Sequence, residues 1–369
     1  MKTTAAVLWE AGTPWSVEEI ELDEPGFQEV RVELRAAGMC HTDDHFVTGD
    51  MAWPMPVVGG HEGAGVVTEV GPGVTRLGVG DTVILNFMPI CGHCPSCSNG
   101  RSRLCDRGQA TGSGLQISDG TSRHHARGQD LTLMCCIGTF ARNTVVHEDS
   151  CILFEPDIAF EVASLLSCGV VTGWGSAVRT GGVQPGDTVA VVGVGGLGSN
   201  AVQGARLAGA RNIVAIDPVE FKREKATEFG ATHSAASLTA AFDLVTEITD
   251  GRMCNVVVMT MGVGDGSLIA DAMALTAKFG TVVVTNAHPQ HETTVSLSLA
   301  DLTIMEKKLV GSCFGSANAR SDIPMLLDLY RNGQLELDGL ITRTYTLEDV
   351  NKGYADMHAG KNIRGVIVM

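Results

Sequence analysis

The sequence predicts an α/β protein in which a doubly wound parallel sheet is joined to a second, mostly β domain. Three observations carry that prediction. From Pro185 onward, short apolar runs at residues 188–192, 213–216, 255–259 and 280–285 alternate with helical stretches, the order that βαβ units and a parallel sheet produce. Before about residue 83 the pattern differs: residues 3–8, 30–36 and 65–70 are alternating or apolar runs between turn signals at Pro25-Gly26, Gly71-Pro72-Gly73 and Gly80-Asp81, as in antiparallel strands. Finally, a glycine-rich turn separates the first parallel strand from the helix that follows it.

After about residue 311 the texture is mixed again, with helical patterns near 322–332 and 347–359 and a closing strand at 365–369. A chain of 369 residues exceeds the size at which one core stops growing, so two domains are expected. The boundaries read as 1–170 together with 312–369 for the mostly β domain, and 171–311 for the parallel-sheet domain inserted between them.

The formal net charge of −16 argues against nucleic acid as a partner, because phosphate backbones are bound by clustered Lys and Arg and no basic stripe occurs. The N-terminus has one basic residue and no long apolar core, and no window reaches about 18 uncharged apolar residues, so neither export nor a membrane span is expected. Eleven cysteines in so long a chain read as thiols or metal ligands in a reducing compartment, which places the protein in the cytoplasm.

The turn is Gly193-Val194-Gly195-Gly196-Leu197-Gly198. Its first glycines permit a tight bend and close backbone approach to a pyrophosphate, Gly198 lets helix pack on strand, and the helix N-terminus offers unpaired N–H donors. The next apolar run ends in Asp217, where a ribose-binding carboxylate belongs. Such turns also occur as mere connections; the flanking strand, the amphipathic segment and the acid make this one a dinucleotide cradle.

Cys91, Cys94, Cys97 and Cys105 form the most specific motif, Cys-x2-Cys-x2-Cys-x7-Cys. Four thiolates so spaced can close a tetrahedron around structural zinc. An iron–sulfur cluster is the rival, disfavoured by the seven-residue gap and the lack of a following Pro. A second constellation is scattered: Cys40 in Cys40-His41-Thr42-Asp43-Asp44-His45, His61-Glu62, and Cys168. Alone each reads as an ordinary buried thiol or polar side chain; together two thiolates and one imidazole leave a fourth zinc position open, the mark of a catalytic site.

In order and spacing, Gly59-Gly60-His61-Glu62-Gly63, the four-cysteine lobe, Cys168-Gly169 and the Gly193–Gly198 turn resemble the zinc-dependent medium-chain alcohol dehydrogenases over essentially the whole chain. Within that family the chain is similar to the branch related to class III, and most of all to the actinobacterial NDMA-dependent (nitrosoaniline-dependent) enzymes. The stretch from Ile216 to Lys225, Phe314-Gly315-Ser316-Ala317-Asn318 and the stretch from Ala359 to Gly365 carry the closer likeness. The resemblance implies a GroES-like catalytic domain beside the Rossmann domain, two zinc ions per chain, NAD as cofactor, and a homodimer or higher homo-oligomer acting on a small alcohol or aldehyde.

By the same resemblance, Cys40, His61 and Cys168 bind the catalytic zinc with Glu62 as an occasional ligand, and Asp43 accepts a hydrogen bond from His61. Thr42 begins a proton relay that runs through the cofactor ribose and ends at His45. His41 and Arg364 flank the pyrophosphate, Asp217 and Lys222 meet the adenosine ribose, Thr172 contacts the cofactor, and Phe87, Trp53 and Trp174 line the substrate channel or nicotinamide site or serve as ordinary core. Class III enzymes read glutathione with an Arg where this chain has Gln109 and with acids where residues 49–56 are mostly apolar, and they commonly have Tyr where His45 stands. A plain alcohol is therefore expected over a thiol adduct of formaldehyde, the alternative being a glutathione- or mycothiol-dependent formaldehyde dehydrogenase. The relatives' habit of keeping nicotinamide bound implies slow cofactor release here.

Overall fold

The computed structural model describes residues 1–369, which divide into two compact units. One contains Met1–Cys168, Asn318–Leu327 and Leu337–Met369; the other contains Gly169–Ala317 and Asp328–Glu336.

The first unit is built on two sheets. Strands β1 (Lys2–Leu8), β2 (Ser16–Leu22), β4 (Val57–Val58), β7 (His124–Ala126), β8 (Gln129–Asp130) and β9 (Thr132–Leu133) form one, ordered β8-β7-β2-β1-β4-β9. Strands β3 (Glu29–Gly38), β5 (Gly63–Val70), β6 (Thr82–Leu85), β10 (Asn143–His147), β11 (Cys151–Leu153), β18 (Ile341–Tyr345) and β19 (Arg364–Val368) form the other, ordered β11-β6-β5-β3-β19-β18 with β10 also paired to β3. The alternation in β3 is direct: Val30, Val32 and Leu34 are fully buried beside Val67, Val83 and Val146, while Arg31, Glu33 and Arg35 face outward into ion pairs. Each aliphatic side chain so buried contributes about 1.5–3 kcal/mol. The C-terminal strand β19 pairs antiparallel with β3 at Val366↔Gly38, so the chain's end completes the sheet that its start begins.

The second unit is the doubly wound sheet. Strands β12 (Thr188–Val192), β13 (Asn212–Ile216), β14 (His233–Ala235), β15 (Cys254–Met259), β16 (Thr276–Val284) and β17 (Lys308–Gly311) are all parallel, ordered β14-β13-β12-β15-β16-β17. Every residue of β12 is buried, which is why it reads as an unbroken apolar run.

The fold class is as the sequence predicts, with two strands more than the apolar runs reveal. β14 is three residues of mixed polarity, and β17 is four residues of which Lys308 and Gly311 are exposed, so neither shows a period. β16 begins four residues before the apolar run at 280 because Phe279, at φ 62°, bulges out and shifts the register between Cys254↔Thr276 and Val256↔Thr281.

Candidate metal and dinucleotide sites

The four lobe cysteines lie around a short helical turn, Pro95–Ser98, with Pro95 in its first turn and left-handed Gly92 and Gly100 bending the chain on either side. Their sulfurs all fall within 4.8 Å of one another, with Cys91–Cys97 at 4.0 Å and Cys94–Cys105 at 3.9 Å. Four sulfurs about 2.3 Å from a central zinc ion sit about 3.8 Å apart, so the cage has the size zinc requires. Backbone N–H groups already point at these sulfurs, from Cys94 to Cys91 at 3.3 Å, Cys97 to Cys94 at 3.4 Å and Cys91 to Cys105 at 3.4 Å. Backbone N–H groups of Asp106 and Cys97 bring the Cys94 thiol down to about 6, favouring the thiolate that a metal binds. The lobe is tied to its unit by Arg320, which donates to Ile90 O and lies 3.3 Å from Asp149, and by Ser102, whose hydroxyl donates to Asn318 at 2.9 Å.

The scattered set comes together in the same unit. Cys40 caps the helix His41–Thr48, His61 precedes β5, and Cys168 follows the helix Phe160–Leu165. The ligand atoms of Cys40, His61 and Glu62 fall within 4.8 Å of one another, and the Cys168 side chain hydrogen-bonds both Cys40 and His61. All four residues are buried. The placement is fixed locally. Gly60, at φ 87°, lets the chain turn where a Cβ would strike the Phe140 backbone, and its N–H donates to Asp43 Oδ1 at 2.8 Å. Ser167 bridges the Gly63 N–H at 3.0 Å and the Gly63 carbonyl at 3.1 Å, seating Cys168 against the start of β5.

The electrostatics suit a cation. The hydrogen bond from Cys168 holds the Cys40 thiol well below its usual range, against the cost of burial and with help from His61, and the same bond pushes Cys168 up. Burial disfavours a charged His61, but the charges of Asp43 and Cys40 outweigh it and raise the ring well above 6.5. Asp43 Oδ2 lies 3.2 Å from His61 Nδ1, and neither atom has another hydrogen-bonding partner. A thiol held low at Cys40, a second thiol hydrogen-bonded to it and an imidazole backed by Asp43 are a donor set that zinc satisfies.

Glu62 and Arg364, which the sequence presents as separate site residues, are a buried ion pair. Burial lifts the Glu62 carboxyl to about 7, Arg364 opposing the rise. Gly38 makes the pair possible, since a Cβ there would run into the Glu62 carboxylate.

In the second unit, the glycine turn follows β12 and opens the helix Gly196–Leu207. Gly193, at φ 86°, sits where a Cβ would lie 2.8 Å from Met261, and a Cβ on Gly198 would overlap the Gly193 carbonyl. Gly195 is different: nothing lies within 4 Å of its Cβ direction, so no contact within the protein requires a glycine there. Asp217 directly follows β13, with Oδ2 accepting from Val194 N–H at 3.0 Å and Oδ1 from Val219 N–H at 2.9 Å. These groups fit a dinucleotide: open backbone at a helix N-terminus and a carboxylate held beside it.

The remaining expected residues are placed as follows. His41 and Thr42 lie in the first turn after Cys40, with Thr42 Oγ1 3.5 Å from the Cys40 sulfur. His45 is buried, its Nδ1 3.2 Å from Asp50, which also accepts from Thr48 at 2.7 Å. Phe87 meets the His61 ring edge-on at 5.8 Å, Trp53 stacks at a tilt on Phe46 at 4.8 Å, and Trp174 is buried. Thr172 is buried in the helix Gly169–Gly175, its carbonyl accepting from Ser176, and Lys222 lies in the helix Glu220–Glu228. Sequence reasoning missed Tyr354, whose hydroxyl reaches the Cys40 carbonyl at 3.4 Å, and the Asp44–His358 pair at 2.6 Å. Both partners come from the last helix, Val350–His358, and only its apolar period was visible in the sequence.

Residues 26–156 match the alcohol dehydrogenase GroES-like domain, and residues 196–332 match the zinc-binding dehydrogenase domain. Alcohol dehydrogenase B of Mycobacterium tuberculosis is 50% identical over 370 residues, covering 100% of this chain and 98% of that protein. The NDMA-dependent alcohol dehydrogenase of Amycolatopsis methanolica is 48% identical over 368 residues, covering 100% of this chain and 99% of that protein. Among solved structures, an alcohol dehydrogenase zinc-binding domain protein from Burkholderia ambifaria has a TM-score of 0.93 at 31% identity, covering 100% of this chain and 99% of its own. Benzyl alcohol dehydrogenase from Acinetobacter calcoaceticus has a TM-score of 0.92 at 29% identity over the same shares. With both domains matched in order and relatives about half identical from end to end, the chain belongs to the zinc-dependent medium-chain alcohol dehydrogenase family.

Proposed function

We propose that this protein interconverts a primary alcohol and its aldehyde with NAD, using one zinc ion at Cys40, His61 and Cys168 and a second, structural one at Cys91, Cys94, Cys97 and Cys105. The observation that carries the reading is the open set of three buried ligands with Asp43 fixed behind His61. When bound, zinc supplies the Lewis acidity that makes an alcohol hydroxyl acidic near neutral pH, and the nicotinamide accepts the hydride.

The chain's own share is orientation and proton handling. Asp43 holds the His61 ring with its other nitrogen toward the metal position. Thr42 Oγ1, beside Cys40, receives the substrate proton, and the imidazole of His45, backed by Asp50, is the terminal acceptor. Because His45 is itself buried, release to water passes by way of Asp50, whose side chain is 31% exposed. Asp217 bonds the ribose hydroxyls and repels a 2′-phosphate, so NAD is preferred over NADP.

The relatives support a finer reading: the helix N-terminus after the glycine turn holds the pyrophosphate, and the cofactor stays bound and is regenerated in place by a second substrate. Assembly is as a homodimer or higher homo-oligomer. Gln109, exposed where an Arg would be needed, and residues 49–56, mostly apolar with the single acid Asp50, favour a plain alcohol over a thiol adduct. The test is turnover of zinc-loaded protein on an alcohol series with NAD, with and without nitrosoaniline, and on formaldehyde with and without glutathione or mycothiol. The reading expects nicotinamide carried through gel filtration, slow oxidation with free NAD alone and fast turnover with nitrosoaniline. Strict thiol dependence, or no alcohol-dependent reduction of any acceptor, would defeat it.

A further inference from the structure

The amino ends of the parallel strands, away from the glycine turn, enclose a cavity of their own. Four strands begin with a polar residue or carry one next to their start: Thr188 in β12, Asn212 in β13, Asn255 in β15 and Thr276 in β16. All four residues line a cavity of about 700 Å³, a size within the range of sites for small organic ligands. The glycine turn and Asp217 stand at the opposite, carboxyl ends, and the five residues of β12 put about 16 Å between the two places. The cavity is therefore no part of the dinucleotide cradle.

Its charge is opposite to that of the chain as a whole. Arg211, Arg252, Lys278 and Lys307 line it against Asp301 alone, in a protein whose formal net charge is −16. Some cations are expected here, since the helices Leu238–Ile248 and Ile269–Ala274 end at this rim and the carboxyl end of a helix favours positive charge. Two of the four answer that need: Arg252 Nε donates to Thr249 O at 2.9 Å, and Lys307 Nζ to Met273 O at 2.6 Å. Even so, burial holds the Lys307 ammonium below its ordinary range, Asp301 opposing the fall. The other two cations have no such task, because no side-chain hydrogen bond or ion pair ties Arg211 or Lys278 to the protein. Asn255 adds a donor: its Oδ1 accepts from Thr188 N–H at 2.9 Å, which leaves the NH2 of the same amide unpaired. The half-buried Ile248, Met253 and Met305 complete the lining with apolar surface that an organic body can cover.

We propose that this cavity binds a phosphorylated small molecule of nucleotide size, its phosphates held by Arg211 and Lys278 and its organic body lying against Met253 and Met305. Arginine meets a phosphate with two parallel N–H donors and lysine with a point charge, so the two unpaired cations are complementary partners for one group. A multiply charged phosphate also suits a lining of four cations and one acid better than a single carboxylate does. Binding there leaves the carboxyl ends of the strands free, so this ligand and a dinucleotide occupy one chain together.

The probes are ADP and inorganic pyrophosphate, similar in charge but only one of them with an organic body. Each is titrated calorimetrically against full-length, zinc-loaded wild type, Arg211→Gln and Lys278→Gln at low ionic strength, without NADH and with the cradle filled by an equivalent of it. ADP is expected to bind the NADH-filled wild type, more tightly than pyrophosphate does, and its affinity should fall about tenfold in each variant, the worth of one charge-assisted hydrogen bond. The thermal midpoints of the unliganded variants should match the wild type, since neither side chain has a partner within the protein to lose. ADP binding that NADH abolishes would belong to the cradle and overturn the proposal, as would no ADP binding at all or variants that bind ADP as tightly as the wild type. Equal affinity for ADP and pyrophosphate would also overturn it, by reducing the cavity to a patch of charge with no place for an organic body.

Discussion

The two cysteine-rich sites of the first unit hold similar donors but are assembled in opposite ways. The lobe draws four ligands from one loop, Cys91 to Cys105, whose own backbone N–H groups point at the sulfurs. Cys40, His61 and Cys168 come from three separate segments and meet only because β3, β5, Ser167 and Gly60 bring them together. On the proposed reading, the difference gives a metal at each site a different task. A loop with little apolar burial needs its ion in order to fold, whereas a set built by a finished core keeps its shape and leaves a coordination position for chemistry.

The largest expected effect breaks the lobe. Structural zinc in isolated fingers is worth about 10–16 kcal/mol, so Cys94→Ser should cost about 5 kcal/mol or more and yield insoluble or protease-sensitive protein, read by yield and limited proteolysis. Soluble, fully folded Cys94→Ser would erase the contrast. Cys168→Ser should do the reverse, leaving the circular dichroism and thermal midpoint close to wild type while turnover falls about a thousandfold or more. Asp43→Asn sharpens the same side of the comparison. It keeps the three ligands but loses the carboxylate behind His61, so kcat or zinc affinity should drop about 10- to 100-fold.

Asp217→Gly leaves both metal sites alone, and the ratio of kcat/KM for NAD over NADP should shrink about tenfold. Away from both sites a pH dependence of stability is expected, large at one histidine and smallest at its neighbour. Burial pushes His124 down to about 3, so the unfolded chain, with its ordinary value near 6.5, binds the proton that the folded chain refuses. Stability therefore falls as pH drops below about 6.5 toward 3, by up to about 1.4 kcal/mol per unit, and His124→Asn should flatten that slope in denaturant melts at saturating zinc. The next residue has the opposite sign. Although burial opposes it, Asp23 and Asp130 raise His125, whose contribution is present below about 6.5 and lost as pH rises through its folded value; with exposed partners it amounts to at most about 0.5 kcal/mol.

The same contrast governs what could be read before the fold was known. The lobe is legible because its ligands are close in sequence and their spacing alone describes a loop around an ion. The glycine turn is legible for the same reason, strand, turn and helix being contiguous. The Cys40, His61 and Cys168 set is legible only through a likeness to a family, since no periodicity says that residues 40 and 168 meet. The Glu62–Arg364 pair and the Tyr354 contact were hidden because each joins the first sixty or so residues to the last helix or strand.

The most direct test of this account is the zinc content of three purified proteins measured by mass spectrometry: wild type, Cys168→Ser, and Cys94→Ser recovered from whatever remains soluble. Two zinc ions per wild-type chain and one per folded, inactive Cys168→Ser chain are expected, with the little soluble Cys94→Ser lacking the lobe ion. One zinc per wild-type chain, iron with visible absorbance, or a Cys168→Ser protein that keeps both ions and its activity would contradict the account.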